Sequence, residues 1–172
     1  MSTLYSAVFA TFLAGAPIGG LVGLCGEPTS LEDSNERDLS QILTHTVDLL
    51  ADAGVEARVT GRVKSLDSLY AKMHRKGLKQ AEIEDRIGLR IEVDTEAECY
   101  AVRELIRDAH EPVMGSDDDY IAYPKPNGYQ SLHTVAHTAP SGVLAEFQIR
   151  TTAMHEYAVN GPAAHWVYKM SA

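Results

Sequence analysis

Arg62 and Lys64 stand two residues apart in "GRVKSLDSLYAKM", and Ser68 and Lys72 follow four residues apart. At a strand end the first pair projects to one face. On a helix the second pair does the same. Cations and a hydroxyl gathered this way suit a polyphosphate. No G-x-x-x-x-G-K-[ST] loop occurs, so this is not a Walker A site. An exposed basic strand and helix would show the same residues, and the pattern alone leaves both readings open. A second pair is Asp85 and Glu146. Glu146 alternates with Leu144 and Gln148 against Phe147 and Ile149, which puts the acid on a polar strand face. Two carboxylates on neighbouring strands suit Mg²⁺, which takes one or two carboxylates with phosphate oxygens and water. Two ordinary surface acids would look alike. The third group is "YPKPNGYQSLHT", residues 123–134. Its prolines, asparagine and glycine are turn chemistry. Its other polar residues exceed that need. Tyr129 offers a flat face for a base. Asn127 and Gln130 can hydrogen-bond a base edge or ribose, and Lys125 and His133 can meet phosphate. A hairpin lead-in with a half-buried tyrosine is the plainer alternative.

Other chemistries fit poorly. His133 and His137 are four apart, about 13 Å on a strand, too far to share a metal ion. Cys25 and Cys99 make neither a disulfide framework nor a zinc spacing. There is no G-x-S-x-G elbow.

The elements that position these groups follow from periodicity. A helix capped by Asp33 or Ser34 runs to about Ala53, with Leu39, Leu43, Val47 and Leu50 on one stripe and Ile42 beside it. Residues 55–63 alternate as a strand, and 65–76 read as a helix ended by Gly77. Residues 86–94 alternate Ile87, Leu89, Ile91 and Val93, a half-buried strand. Thr95 caps an amphipathic helix to His110, and 114–119 is a loop. Residues 129–138 and 143–151 form two strands joined at Pro140, Ser141 and Gly142, an antiparallel pair. Helical pieces at 154–160 and 163–169 are broken by Gly161 and Pro162. The sum is an α/β or α+β domain, a mixed sheet of about five strands flanked by helices.

The chain has 172 residues, enough for one domain with its own core. The net charge of −9 argues against indiscriminate nucleic-acid binding. Nine of the fifteen Lys and Arg residues fall between Arg58 and Arg90 among four acids, a local +5 in a chain whose remainder carries −14. Such focusing fits an anion site. Met1 to Gly26 carries no charged side chain. It is nearly long enough to span a bilayer, but its glycines and proline weaken a helix. Membrane association through residues 1–26, a tail, and a segment packed on a partner are all open. A reducing cytoplasm is the default compartment.

Taken in order, "GRVKSLDSLYAKM", "EIEDRIGLRIEV", "ECYAV", "DDDYIAYPKPNGYQSLHT", "EFQIRT" and "MHEY…GPAAHWVYK" resemble the synthetase domain of the RelA/SpoT family, the alarmone synthetases. The resemblance covers roughly residues 40–170. It divides the chain into an apolar segment, 1–33, and a nucleotidyltransferase-like synthetase domain, 34–172. It implies a pyrophosphokinase that moves the β,γ-diphosphate of ATP to the 3′-OH of GDP or GTP. By the same resemblance Arg62, Lys64, Ser68 and Lys72 contact ATP. Asp85 and Glu146 hold Mg²⁺, and Glu146 also draws the proton from the attacking hydroxyl. Tyr129 stacks on guanine, and Lys125, Asn127, Gln130 and His133 complete the acceptor site. Three departures stand out. "GLKQAEIE" lacks the basic run of the long bifunctional enzymes, Val159 replaces their usual Glu, and no hydrolase motif precedes the domain. A small monofunctional member is therefore expected. A second reading changes the acceptor to the 3′ end of tRNA, as in toxin-type small members, with Lys72, Arg75, Lys76 and Lys79 meeting the acceptor stem. A third is a nucleotide-binding module without activity. An antitoxin or membrane-protein partner for the N-terminal segment, and a homo-oligomer, are further expectations.

Overall fold

The computed structural model describes residues 31–63, 87–139 and 141–161. Lys64, Ser68, Lys72 and Asp85 lie outside the described residues, as do the helices read at 65–76 and 163–169 and the apolar segment 1–26. Among the described residues no helix is long and apolar enough to cross a membrane.

Helix α1 spans Leu31–Asp52, and strand β1 is Arg58–Val63. Strand β2 is Ile87–Val93, followed by helix α2, Glu96–Ala109. Short strands β3, Glu111–Pro112, and β4, Asp118–Asp119, precede β5, Leu132–His137. Strand β6, Leu144–Thr151, leads into helix α3, Thr152–Asn160. The fold is α+β, with a mixed sheet in the order β1-β2-β6-β5-β3 and β4 also paired to β5. β2 and β6 run parallel, and the other pairs are antiparallel.

Period-two alternation divides the sheet into two chemically different faces. Val59, Ile87, Leu89, Ile91, Phe147, Ile149 and Leu132 are fully buried on one of them. That face receives α1, which packs on β1, and α2, which packs on β5 and β6. α1 contributes Leu39, Ile42, Leu43 and Leu50, and α2 contributes Cys99, Val102 and Ile106. Thr46, and not Val47, sits at the middle of the buried stripe of α1. Its hydroxyl donates to the Ile42 carbonyl at 2.7 Å, so the polar atom is satisfied within the helix. Gly61 lets α1 approach closely. A Cβ there would lie 2.6 Å from Leu39 Cδ1.

Helix ends match their chemistry. Thr95 Oγ1 accepts from the Glu98 N–H, and the Glu98 carboxylate accepts from the Thr95 N–H at 2.8 Å. This reciprocal pair satisfies two donors that a helix start leaves open. Thr151 Oγ1 accepts from the Met154 N–H at 3.1 Å and starts α3 directly off the end of β6. α3 therefore turns over the second face of the sheet, at the carboxyl ends of β2 and β6.

Candidate active site

The register builds the second face in rows. Arg62, Gly88, Glu146 and Val135 stand abreast across β1, β2, β6 and β5. The next row is Thr60, Arg90, Gln148 and His133. Beyond it Arg58, Glu92 and Arg150 follow. Residues from the β1, β2 and β6 parts of these rows, with Tyr129 and α3, enclose a cleft of about 630 Å³. Arg62, Arg90, Tyr129, Glu146 and Arg150 all line it, with Ala158 and Val159 of α3 on its wall.

Tyr129 is not on a strand, because β5 begins only at Leu132. It is held by the turn before it. The Gly128 N–H donates to the Lys125 carbonyl at 2.7 Å, and Asn127 Oδ1 accepts from the Tyr129 N–H at 3.2 Å. Pro126 and Gly128 occupy the turn positions that favour those residues. Gly128 has φ of 78°, and a Cβ there would lie 2.8 Å from the Tyr157 hydroxyl of α3. The loop thus closes onto α3. Asp119 secures the other side. Its carboxylate accepts from the Ile121 and Ala122 N–H groups and from the Tyr100 hydroxyl. Gln130 Nε2 donates to the Ile121 carbonyl at 3.2 Å. Asn127 and Gln130 therefore both bond the loop itself.

The tyrosine ring lies among other rings and cations. Tyr120 and His133 meet it edge-on, with centroids 6.2 and 5.9 Å away. Lys125 Nζ lies 4.1 Å from the Tyr120 ring centroid and 5.2 Å from that of Tyr129. The Arg150 guanidinium is 5.8 Å from the Tyr129 centroid. Burial raises the Tyr129 phenol above its ordinary value, and Arg150 partly offsets this. The ring stays neutral, with an uncharged face.

His133 links this ring to the carboxylate. Its Nε2 is 2.9 Å from the Tyr129 hydroxyl, and its Nδ1 is 3.4 Å from Glu146 Oε1. With the phenol donating, Nδ1 carries the proton toward Glu146.

Of the residues expected at the site, Arg62, Tyr129 and Glu146 come together in the cleft, with His133 between the last two. Lys125 lies at the rings beside it. Four ionisable groups were not expected. Glu92, only 3% exposed, accepts from Arg90 Nε at 2.8 Å. His155 Nε2 of α3 approaches the same carboxylate at 3.7 Å. Arg150 is 5% exposed, and its buried Nε has no hydrogen-bond partner. Burial and the neighbouring arginines lower the His155 pKa, although Glu92 pulls it up. The signal was present: β2 alternates Gly88, Arg90 and Glu92, and Arg150 lies four residues beyond Glu146 on one strand face.

No three His, Cys, Asp or Glu side chains among the described residues converge to hold a metal. Among the described residues, Glu146 is the carboxylate that lines the cleft, while Glu92 is already engaged by Arg90. One carboxylate fits Mg²⁺ that arrives with phosphate oxygens and water as its other ligands.

Residues 61–172 match the family model described as the region found in RelA/SpoT proteins. The chain is 48% identical over 123 residues to a GTP pyrophosphokinase of Streptomyces coelicolor, covering 72% of this chain and 14% of that one. It is 48% identical over 116 residues to an Aquifex aeolicus guanosine-3′,5′-bis(diphosphate) 3′-pyrophosphohydrolase, covering 67% of this chain and 16% of that one. It therefore spans less than a fifth of the length of either relative. The small alarmone synthetase 1 of Bacillus subtilis, solved with its product pppGpp, superposes with a TM-score of 0.64 at 31% identity, over 80% of this chain and 78% of that one. With the family region covering most of its length and a synthetase fold around one cationic cleft, the chain belongs to the RelA/SpoT family.

Proposed function

We propose that this chain transfers the β,γ-diphosphate of ATP to the 3′-OH of GDP or GTP. One observation carries the reading: Arg62, Glu146 and Tyr129, drawn from three separate segments, line a single cleft. The names of the synthetase relatives agree with it. The pyrophosphohydrolase name of the Aquifex relative points to a different reaction, but the cleft favours transfer. It combines a flat aromatic face, arginine cations and a carboxylate.

The chemistry follows from the placement. Arg62 meets the phosphates of the donor, joined by Lys64, Ser68 and Lys72 of the adjoining segment. Tyr129 stacks on the guanine, with Lys125 nearby to meet phosphate. Glu146 takes the proton of the 3′-hydroxyl. The 3′-oxygen then bonds to the β-phosphorus as the bond from that phosphorus to the α,β-bridging oxygen breaks. The electron pair leaves on AMP. Glu146 and Asp85 would hold Mg²⁺, which would supply neutralisation of the diphosphate charge. His133 keeps its ring between the phenol and the carboxylate, so the stacking platform and the proton acceptor are set relative to each other.

Incubation with ATP labelled in its β-phosphate and GDP, GTP or tRNA tests this. Label should enter the guanine nucleotide with one AMP released per transfer. Glu146→Gln should reduce the rate by about 10³-fold without unfolding the chain. Label on tRNA alone would move the acceptor assignment to the toxin-type reading. Unchanged transfer by Glu146→Gln would remove the carboxylate from its role.

A further inference from the structure

The polar face of the sheet has one bare position in its middle. Gly88 stands directly between Arg62 and Glu146 in the row that crosses β1, β2 and β6. The next residues of β2 on this face are long and charged, Arg90 and Glu92. Gly88 does not belong to the glycines with positive φ, so its backbone suits any residue. A Cβ built on it meets nothing within 4 Å among the described residues. Gly61, on the neighbouring strand, is the contrast, since there a Cβ strikes Leu39. Neither backbone conformation nor packing among the described residues accounts for glycine at position 88. Glycine inside a strand weakens it, and often marks a place where something approaches the backbone closely.

We propose that Gly88 is the clearance point of the cleft, and that the diphosphate in transfer lies against its bare backbone between Arg62 and Glu146. This rests on the function proposed above. Adjacent strands are about 4.8 Å apart, so roughly 10 Å separates the backbones that carry Arg62 and Glu146. In that span the bond from the 3′-oxygen to the β-phosphorus forms while the bond to the α,β-bridging oxygen breaks. The proton goes to Glu146, and the electron pair goes to AMP. A side chain at position 88 would project into the same space and push the reacting atoms off line. Gly88 acts by absence of bulk. It is a positioning residue and contributes no group to the chemistry.

The position separates stability from activity. Valine is favoured on strands, and no atom of the described residues lies within 4 Å of a Cβ there. Gly88→Val should therefore fold with a Tm at or above that of the wild type. Its kcat for diphosphate transfer should fall by about 100-fold, the loss that a misplacement of about 1 Å can cause. The KM values for ATP and for the guanine nucleotide should change far less, because the cations and Tyr129 are untouched. Gly88→Ala should fall between wild type and Gly88→Val. A folded Gly88→Val with wild-type kcat overturns the proposal, as does a loss that appears only with a lowered Tm. If Gly88→Val does not fold, Gly88→Ala decides: reduced kcat at unchanged Tm supports the assignment, and wild-type kcat overturns it. A wild-type chain that transfers nothing would sink the functional reading and this proposal together. Equal transfer by wild type and Gly88→Val would sink this proposal alone.

Discussion

Glu92→Gln isolates the electrostatics of the closed end of the cleft. The substitution keeps the shape of the side chain and removes its charge. Glu92 is 3% exposed and is the acceptor for Arg90 Nε at 2.8 Å. Its carboxylate also faces His155 at 3.7 Å. Arg150, at 5% exposure, stands beside Glu92 in the β2–β6 register, and the negative charge there favours its charged form, after the larger effect of Tyr129. Removing one member of a fully buried pair costs about 3–5 kcal/mol. The Arg90 side chain is 29% exposed to the cleft, so water takes up part of its charge. That reduces the expected cost to about 2 kcal/mol. For a chain of this size the Tm should drop by roughly 6 °C. Arg150→Met supplies the second arm of a double-mutant cycle. Once the arginine is gone, the loss of Glu92 strands one cation fewer. The double variant should be more stable than the sum of the single losses predicts, by about 1 kcal/mol. Urea denaturation measures each corner of the cycle, with an unchanged slope showing that the unfolded state is comparable. Additive losses, or a Glu92→Gln cost below about 0.5 kcal/mol, would refute the coupling argued here.

Three further perturbations test other parts of the molecule. His110 Nδ1 accepts the Ala139 N–H at 3.2 Å, which puts the ring proton on Nε2, a buried atom with no partner. Burial, and then His45, lower its pKa. The unfolded histidine takes a proton near pH 6.5 while the folded one resists, so stability should fall as pH drops below that value toward the folded pKa. His155 shifts in the same direction. Urea midpoints measured between about pH 7 and pH 5.5 should decline, and His110→Asn should decline less steeply. An identical decline in that variant would clear His110 of the effect. Gly61→Ala would place a methyl 2.6 Å from Leu39 and 3.2 Å from Leu43. It should destabilise by about 1–3 kcal/mol in thermal or urea unfolding, and a neutral result would show that α1 is free to retreat. Tyr129→Phe keeps the ring and loses the 2.9 Å contact to His133. Tyr129→Ala also loses the stacking face, worth about 1–3 kcal/mol per base. The acceptor KM should rise more in the alanine variant than in the phenylalanine variant, and equal values would argue against stacking.

Local pattern was enough for the long elements. Ile87, Leu89, Ile91 and Val93 alternate without exception, and the strand follows them. Thr95 marks the start of α2 in sequence, and in space its bonds with Glu98 fix the same point. The differences arise where a distant partner decides. "MGSDDD" reads as loop, yet Asp118 and Asp119 pair with β5, an edge contact that aspartate does not favour. Residues 129–131 read as strand. The hydrogen bonds of Asn127 and Gly128 hold them in a turn, and β5 starts at Leu132. On α1, the stripe passes through Thr46 because its hydroxyl can bond the preceding turn.

The candidate site was legible in its outward-reaching groups and not in its buried ones, for a physical reason. A charged residue on an alternating strand reads as solvent-facing, and for Arg62 that is correct: it is exposed. The same reasoning fails further along the face, where the Thr152 hydroxyl bonds the Val93 carbonyl and brings α3 down over the ends of β2 and β6. No local spacing announces that contact. Its effect is a gradient on one sheet face, from exposed Arg62, through partly exposed Arg90, to buried Arg150. Charges interact more strongly as water is excluded. Glu92 supplies a fixed anion at the covered end, bonded to Arg90 and abreast of Arg150. Arginine at the open end can meet its anion in a ligand. Identical side chains along the cleft are thereby divided by depth, the covered ones set against Glu92 and the exposed one facing solvent.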